Sequence, residues 1–380
     1  MVGGASMDIN KVEIIDVTTD AQREAVYRFR YDIYVEEMGR YRDVADHEGR
    51  RLVEPDDELA KLKLIQHEGR VIGTARLSWG AVPGALNDRI VEQYDLQPFL
   101  DAVPHEHIAV GERLMFPPEY RGGPLLFKFI SESLVEFRKM GIQLFFGDCE
   151  PHLLNPYQSL GYRPYARRHV NKPETGYLIP IAFVAGDLDY LKSIESPLWE
   201  VLKDDGADPG VPDGLAGLMA DGKSILSSRL DGKSEEWGLL QERIREVGFQ
   251  DIALFSGMSD AEIDACLDKS VRIDCRNGDT LIKRGNPAKN LYAVIRGALE
   301  VRSGDEVVAV RSAGDVIGEI AFFMELPRTM DVVAATDDVE VVSFSQSALR
   351  KLIKTQPDAA TKLLFNMARL LCMKVVETAK

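Results

Sequence analysis

Two stretches of this 380-residue chain carry residue types at spacings that could do chemistry. One runs from Gly318-Glu319-Ile320-Ala321 to Arg328-Thr329. Its glycine lets backbone approach a ligand, and the turn that follows, at Ile320 and Ala321, can aim free N–H groups at an anion. Glu319 is a charged acceptor suited to a sugar hydroxyl, and Arg328 is a rigid donor fork suited to phosphate oxygens. Together they describe a pocket for a ribose that carries a phosphate. The other stretch, His107 to Leu126, contains Gly111-Glu112-Arg113-Leu114-Met115-Phe116 and then Tyr120-Arg121-Gly122-Gly123-Pro124-Leu125. A basic residue, two glycines and a proline at a helix start expose N–H groups and a positive dipole, which would fit a pyrophosphate or phosphopantetheine arm.

The elements that must position these residues differ between the two parts of the chain. In the N-terminal part strands and helices alternate: strand 12–17, helix 21–38, a strand pair at 62–67 and 71–78, strand 107–115, helix 124–140, strand 143–147 and a short helix near 153–160. This is an α/β or α+β pattern. Residues 203–232 then gather Asp, Gly and Pro with few apolar side chains, as a linker does. Amphipathic stretches at 215–230 and 235–247 read as hinge helices. Beyond them come short β-rich runs at 271–275, 280–283, 291–295, 299–302, 307–310, 332–336 and 339–344, the spacing of a small β-roll. Ser259 to Glu262 has capping-box spacing, and the stripe from Leu363 to Val375 reads as core or dimer packing, a homodimer being one assembly it allows. The expected division is a disordered or expression-derived leader at 1–11, a catalytic domain at 12–202, a linker with hinge helices at 203–249 and a ligand-binding domain at 250–380.

Composition narrows the function classes. With 45% apolar and 28% charged residues the chain is of ordinary globular type, and its longest apolar run, near 179–185, is too short to span a bilayer. A net charge of −15 argues against a nucleic-acid partner. The four cysteines have no CxxC spacing and the six histidines form no ligand cluster, so no metal site is expected and free thiols fit a cytoplasmic protein. No secretory signal opens the chain.

From about Leu254 to Val376 the sequence resembles the cyclic nucleotide-binding domain of catabolite activator proteins, kinase regulatory subunits and gated channels. The residues that carry this are Leu254-Phe255-Ser256-Gly257-Met258 and Gly314-Asp315-Val316-Ile317-Gly318-Glu319, with Arg328-Thr329. The resemblance implies that Glu319 takes the ribose 2′-hydroxyl, Arg328 the cyclic phosphate, and the amides around Gly318, Ile320 and Ala321 the other phosphate oxygens. Thr329 is found in members that accept cyclic GMP and in some that prefer cyclic AMP, so the regulatory ligand is expected to be cAMP or cGMP. The chain stops at Lys380 with no helix-turn-helix after the roll, unlike the transcription factors of that family.

Residues 12–200 resemble the GNAT acyltransferase fold, with Arg121-Gly122-Gly123 at its acyl-donor loop and Asn155 to Tyr162 similar to its late helix, where Tyr157 takes the place of the general acid. More narrowly, the runs Tyr27 to Gly39, Asp56-Asp57-Glu58, Gly73 to Leu77 and Glu112-Arg113-Leu114 resemble the acyl-homoserine lactone synthases and N-acyl amino acid synthases. That resemblance implies substrate-organising roles for Arg30, Asp57, Arg76 and Arg113, and acyl-CoA or acyl carrier protein as donor. The glutamate usual three residues before the strand arginine is replaced by Val110, and Glu112 stands directly before Arg113.

Acyl transfer to an amine needs a neutral amine, a stabilised oxyanion and a proton for the departing thiolate. Glu112 is the candidate base, directly or through water, with Glu150 as substitute, and ion pairing of Glu112 with an arginine is the other open reading. Tyr157 would supply the proton, N–H groups near Leu114–Phe116 would polarise the carbonyl, and Leu114, Phe116, Arg121, Gly122, Gly123 and Leu125 would hold the donor. The expected protein is a cyclic-nucleotide-regulated N-acyltransferase acting on a small primary amine, such as an amino acid. A protein lysine acyltransferase and a non-catalytic sensor with a GNAT-like partner-binding module are the alternatives.

Overall fold

The computed structural model describes residues 8–121, 124–165, 170–172, 176–215, 218, 227–229, 253–267 and 270–378. The chain divides into two compact units: Met1–Asp148 with Tyr157–Ala166 and Pro180–Asp221, and Cys149–Pro156 with Arg167–Ile179 and Gly222–Lys380.

The first unit is built on a mixed sheet. β1 (Val12–Asp16), α1 (Asp20–Arg30), β2 (Lys61–His67), β3 (Arg70–Trp79), α2 (Asp88–Gln93), α3 (Gln97–Ala102), β4 (Ile108–Met115), α4 (Pro124–Lys139), β5 (Leu144–Cys149), α5 (Leu154–Leu160), β6 (Arg163–Pro164), β7 (Val170–Lys172), β8 (Gly176–Val184), α6 (Leu188–Ser193) and α7 (Pro197–Leu202) follow in chain order. The sheet order is β1-β2-β3-β4-β5-β8-β6, and β7 pairs with Gly176–Leu178 at the start of β8, a pair that belongs to the second unit. Thr19 and Gln22 close a reciprocal capping box that starts α1. The helix expected to run on to Met38 instead widens at Tyr31–Glu37 into π-type turns, which bury Tyr31, Ile33, Tyr34 and Val35 together. Leu125, Phe129, Leu134 and Phe137 form the inner stripe of α4, each burial worth about 1.5–3 kcal/mol. β3 is buried on both faces from Ile72 to Ser78, so Thr74, Arg76 and Ser78 are polar residues within the core.

Two features of β4 shape the site. Against β3 it carries one residue too many, since Thr74 pairs with Met115 but Arg76 with Glu112. The excess is a bulge at which Arg113 adopts φ 58°, a left-handed conformation uncommon for a side chain of that size. Against β5 it runs parallel, paired from Ile108–Val110 to Leu144–Phe146, while both strands extend beyond. Gly111 sits where pairing ends, and a Cβ there would lie 2.4 Å from the Phe145 ring.

The second unit contains β9 (Ser227–Arg229), α8 (Asp260–Leu267), β10 (Val271–Cys275), β11 (Thr280–Ile282), β12 (Asn290–Arg296), β13 (Ala298–Ser303), β14 (Glu306–Ser312), β15 (Val316–Ile317), α9 (Glu319–Met324), β16 (Asp331–Ala334), β17 (Val339–Ser345), α10 (Gln346–Thr355) and α11 (Pro357–Thr378). Its sheets have the orders β15-β12-β17-β10-β9 and β11-β16-β13-β14. The helices close one core: Phe255, Ile263, Leu267, Phe322, Leu352 and Leu363 pack with the inner residues of β12 and β17. Ser259 and Glu262 make the expected capping box before α8. Ser227–Arg229 falls in a stretch read as hinge helix and is instead a strand, because the outer edge of β10 offers backbone groups for pairing. The remainder of the hinge-helix stretches, apart from Leu215 and Leu218, lies outside the described residues. A mixed α/β sheet and a β-rich unit with flanking helices is the fold class expected from the sequence.

Candidate active site and candidate ligand pocket

In the first unit, α1, the turn Pro55–Asp57 and the middle of β3 and β4 bring charged side chains into a buried network. Arg30, fully buried at the end of α1, donates from Nη1 to both Asp57 oxygens, at 2.8 and 2.7 Å. Asp57 is 1% exposed and also accepts from Arg76 Nη1 at 3.2 Å and from the Glu54 amide at 2.9 Å. Arg76 reaches Glu112 Oε2 at 2.8 Å and Glu54 Oε2 at 3.2 Å. Arg113 donates to Glu54 Oε2 at 2.6 Å and to the Tyr41 hydroxyl at 2.6 Å, and its guanidinium lies over the Tyr34 and Tyr41 rings. The structure thus brings Arg30, Asp57, Arg76 and Arg113 into one hydrogen-bonded network, together with Glu112.

Glu112 is held on three sides. Besides Arg76, it accepts from Arg89 Nη2 at 3.0 Å and from the Tyr94 hydroxyl at 3.3 Å. That hydroxyl has a single proton, which it shares with Asp148, the nearer acceptor at 2.8 Å. This is the geometry of the ion-pair reading of Glu112. Burial opposes charge on Arg76, yet Glu112 and Glu54 outweigh it and raise the guanidinium pKa above its ordinary value. Glu54, which burial would raise, is held below the usual carboxylate range by Arg113, Arg76 and Arg30. Arg30 Nε and Nη2 and Arg76 Nε are buried with no hydrogen-bond partner, so the cationic side of the network has unused donors.

The donor-side residues are more scattered. Leu114 follows the bulge on β4, and Phe116 is buried just past the end of that strand. Arg121 donates to the Phe116 carbonyl at 2.8 Å and pairs with Glu37 at 2.8 Å. Gly122 and Gly123 lie outside the described residues. Leu125 is buried in the inner stripe of α4 at 1% exposure. Tyr157, on α5, packs edge-to-face on Tyr162 at 5.2 Å. Glu54, Arg89, Tyr94 and Asp148 were not singled out from the sequence, and Asp56 only as part of the Asp56-Asp57-Glu58 run. Glu54 had a signal, as the neighbour of the Asp56-Asp57-Glu58 run. Tyr94 and Asp148 had none, since only the folding of the end of α2 and of β5 against β4 brings them to Glu112.

In the second unit the cassette folds locally. Gly318 adopts φ 80° and caps α9, whose first residue is Glu319. Ala321 is buried, while Ile320 and Thr329 are exposed. Arg328, 6% exposed, donates to the Gly318 carbonyl at 2.7 Å and to the Asn290 carbonyl. Glu319, 7% exposed, accepts from Lys374 Nζ of α11 at 2.7 Å. A small pocket adjoins Arg328, lined also by Glu150, His152, Tyr177, Lys289, Asn290 and Tyr292. With its amide turned to satisfy both atoms, Asn290 accepts from the His152 amide at 3.2 Å. Burial pushes the Arg328 guanidinium below its ordinary range against the pull of Tyr292, Glu150 and Glu319. Burial likewise lowers His152, with Lys289 and Arg328 reinforcing it against Glu150. Glu150, weighed as a substitute base, lies in this pocket.

Among the described residues no group of three or more His, Cys, Asp or Glu side chains could hold a metal, and no helix is long and apolar enough to cross a membrane.

The profile of the cyclic nucleotide-binding domain family matches residues 272–356. A CRP-like cAMP-activated global transcriptional regulator of Mycobacterium tuberculosis is 29% identical over 121 residues, covering 30% of this chain and 54% of the regulator. A cAMP-dependent protein kinase regulatory subunit of Mycosarcoma maydis is 33% identical over 111 residues, covering 27% of this chain and 21% of the subunit. The chain thus spans about half, or less, of the length of these curated relatives. Among solved structures, a CoA-dependent acyl-homoserine lactone synthase, BjaI, aligns with 50% of this chain and 89% of its own, at 18% identity and a TM-score of 0.37. A cyclic nucleotide-binding domain from Methylobacillus flagellatus aligns with 41% of this chain and 87% of its own, at 21% identity and a TM-score of 0.33.

Proposed function

We propose that this chain is an N-acyltransferase regulated by a cyclic nucleotide, moving an acyl group from acyl-CoA or acyl carrier protein to a small primary amine. The observation that carries the reading is the buried Arg30–Asp57–Arg76–Glu112 network, joined to Arg113 through Glu54, beside the β4 bulge. A bulge leaves an extra residue unmatched to the neighbouring strand, so amide groups at Arg113 and Leu114 can turn to a ligand carbonyl. Such donors stabilise the oxyanion that forms when an amine attacks a thioester.

In this reading the neutral amine forms the C–N bond, the carbonyl electrons move to oxygen, and their return breaks the C–S bond. The amine proton leaves to a base and the thiolate gains one from Tyr157. Glu112, paired with Arg76 and Arg89, is placed to hold a water that carries the amine proton. Glu319 and Arg328 support a cyclic nucleotide, cAMP or cGMP, in the second unit. The test is thiol release from acyl-CoA in the presence of a panel of amino acids, with and without each nucleotide, followed by extraction of the amide. Release matched by an extractable amide supports the reading, and label retained on protein would assign the protein-lysine alternative. A failure of every donor, including acyl carrier protein, would overturn it in favour of a non-catalytic sensor, a reading that the Arg121–Glu37 pairing favours because it engages the side chain expected to face the donor.

A further inference from the structure

The Glu319 carboxylate already has an internal cation. Lys374 comes from the far end of α11, and its ammonium donates to Glu319 Oε1 at 2.7 Å and to the Val316 carbonyl at 2.5 Å. Both side chains are largely buried, Glu319 at 9% exposure and Lys374 at 19%. The acceptors flank the Gly318 turn, so one ammonium spans the cassette from β15 to the first residue of α9.

The position of this contact along α11 gives it leverage. The first half of the helix is fixed: Ala359, Ala360, Leu363 and Met367 are buried, and Asn366 donates to the Leu254 and Ser256 carbonyls at 2.9 and 2.8 Å. In the last turns Met373, Val375 and Val376 are all more than half exposed. Helix ends with little apolar burial open at low cost, and Lys374 ties this end to the roll.

We propose that Lys374 is an internal competitor for the ligand carboxylate, so that a cyclic nucleotide binds only as its ribose hydroxyl displaces the ammonium and releases the end of α11. This rests on the reading of Glu319 and Arg328 as a cyclic-nucleotide site and adds its regulation. A buried carboxylate has little room for both partners, and a ligand that binds only the released form has an apparent affinity reduced by the fraction of chains in that form. The tie thus sets the threshold concentration of ligand and converts its arrival into freedom of the helix end.

The experiment titrates full-length wild type, Lys374→Met and Lys374→Arg with cAMP and with cGMP by calorimetry. Hydrogen exchange over residues 368–376 is then followed with and without nucleotide. The Met variant keeps the aliphatic stem without the charge and is expected to bind at least fivefold more tightly, whereas the Arg variant stays near wild type. Nucleotide is expected to speed exchange at 368–376 in wild type, and in the Met variant exchange is fast from the start. Lys374→Gln replaces the Met variant should that fail to fold. Unchanged affinity in the variant would overturn the competition and leave the cyclic-nucleotide reading standing. Weaker binding would overturn it by making Lys374 a ligand contact. If neither wild type nor variant binds either nucleotide, the underlying reading fails and the inference with it.

Discussion

Asp57 is the most committed side chain of the first unit. It faces Arg30 and Arg76, both at most 1% exposed, so Asp57→Asn leaves two buried guanidinium groups short of a counter-charge. Breaking a buried pair from one side costs about 3–5 kcal/mol, so a fall of that size in denaturant stability is expected, together with loss of acyl transfer. A change under 1 kcal/mol would mean that the remaining carboxylates, Glu54 and Glu112, suffice. Glu54 itself gives a pH signature. Its folded pKa is depressed below the unfolded value of roughly 4.3, so the unfolded chain takes up the proton first. Its contribution is complete above that value and drains away as pH falls from there through the folded pKa. Glu54→Gln is expected to flatten stability against pH in that acid window and to lower stability at neutral pH, read by urea midpoints across the range; an unchanged acid slope would remove Glu54 from the network's electrostatics. Individual residues were legible to different degrees. Glu319 and Arg328 could be read because one turn and one loop hold both. The Asp56-Asp57-Glu58 run looked equally like a solvated turn, and only the packing of Arg30 and Arg76 over it separates buried Asp57 from exposed Glu58.

At the scale of elements, strands with apolar periodicity were read to within a residue or two, as at β2, β10 and β17, because the pattern is the signal that drives their burial. The β4 bulge was not legible, since it is a mismatch in pairing between two strands and neither strand's sequence records the other's register. The π-type turns after α1 escaped for a related reason: Tyr31 to Glu37 has helical composition, and only the burial of four neighbours shows the wider winding. The cassette turn is the element most open to test. Gly318 holds φ 80°, and a Cβ there would lie 2.4 Å from Arg328 Nη1. Gly318→Ala therefore pays a left-handed penalty of about 1 kcal/mol and pushes the arginine fork off its carbonyl partners. Nucleotide affinity is expected to fall more than tenfold while acyl transfer without nucleotide stays intact. Wild-type affinity in a folded Gly318→Ala protein would show that Arg328 does not need this turn.

The two units meet, for function, in a thermodynamic requirement. If a cyclic nucleotide regulates acyl transfer through binding of the donor, its site and the donor site share a coupling free energy, and that energy is the same in both directions. The factor by which saturating nucleotide changes the dissociation constant of a non-transferable acyl-CoA analogue must equal the factor by which the analogue changes that of the nucleotide. Couplings of this kind run to about 1–3 kcal/mol, or roughly 5–150-fold, well within reach of calorimetry. A reciprocal factor above five is expected for the full chain, and it should shrink in Lys374→Met, where the helix end is free before ligand arrives. A factor of one in both directions, with both ligands bound, would confine regulation to the chemical step, because linkage constrains binding and leaves kcat free. A coupling that survives unchanged in Lys374→Met would place the signal in contacts other than the Glu319 tie, since the variant removes the ammonium that pairs with Glu319 from the last turns of α11.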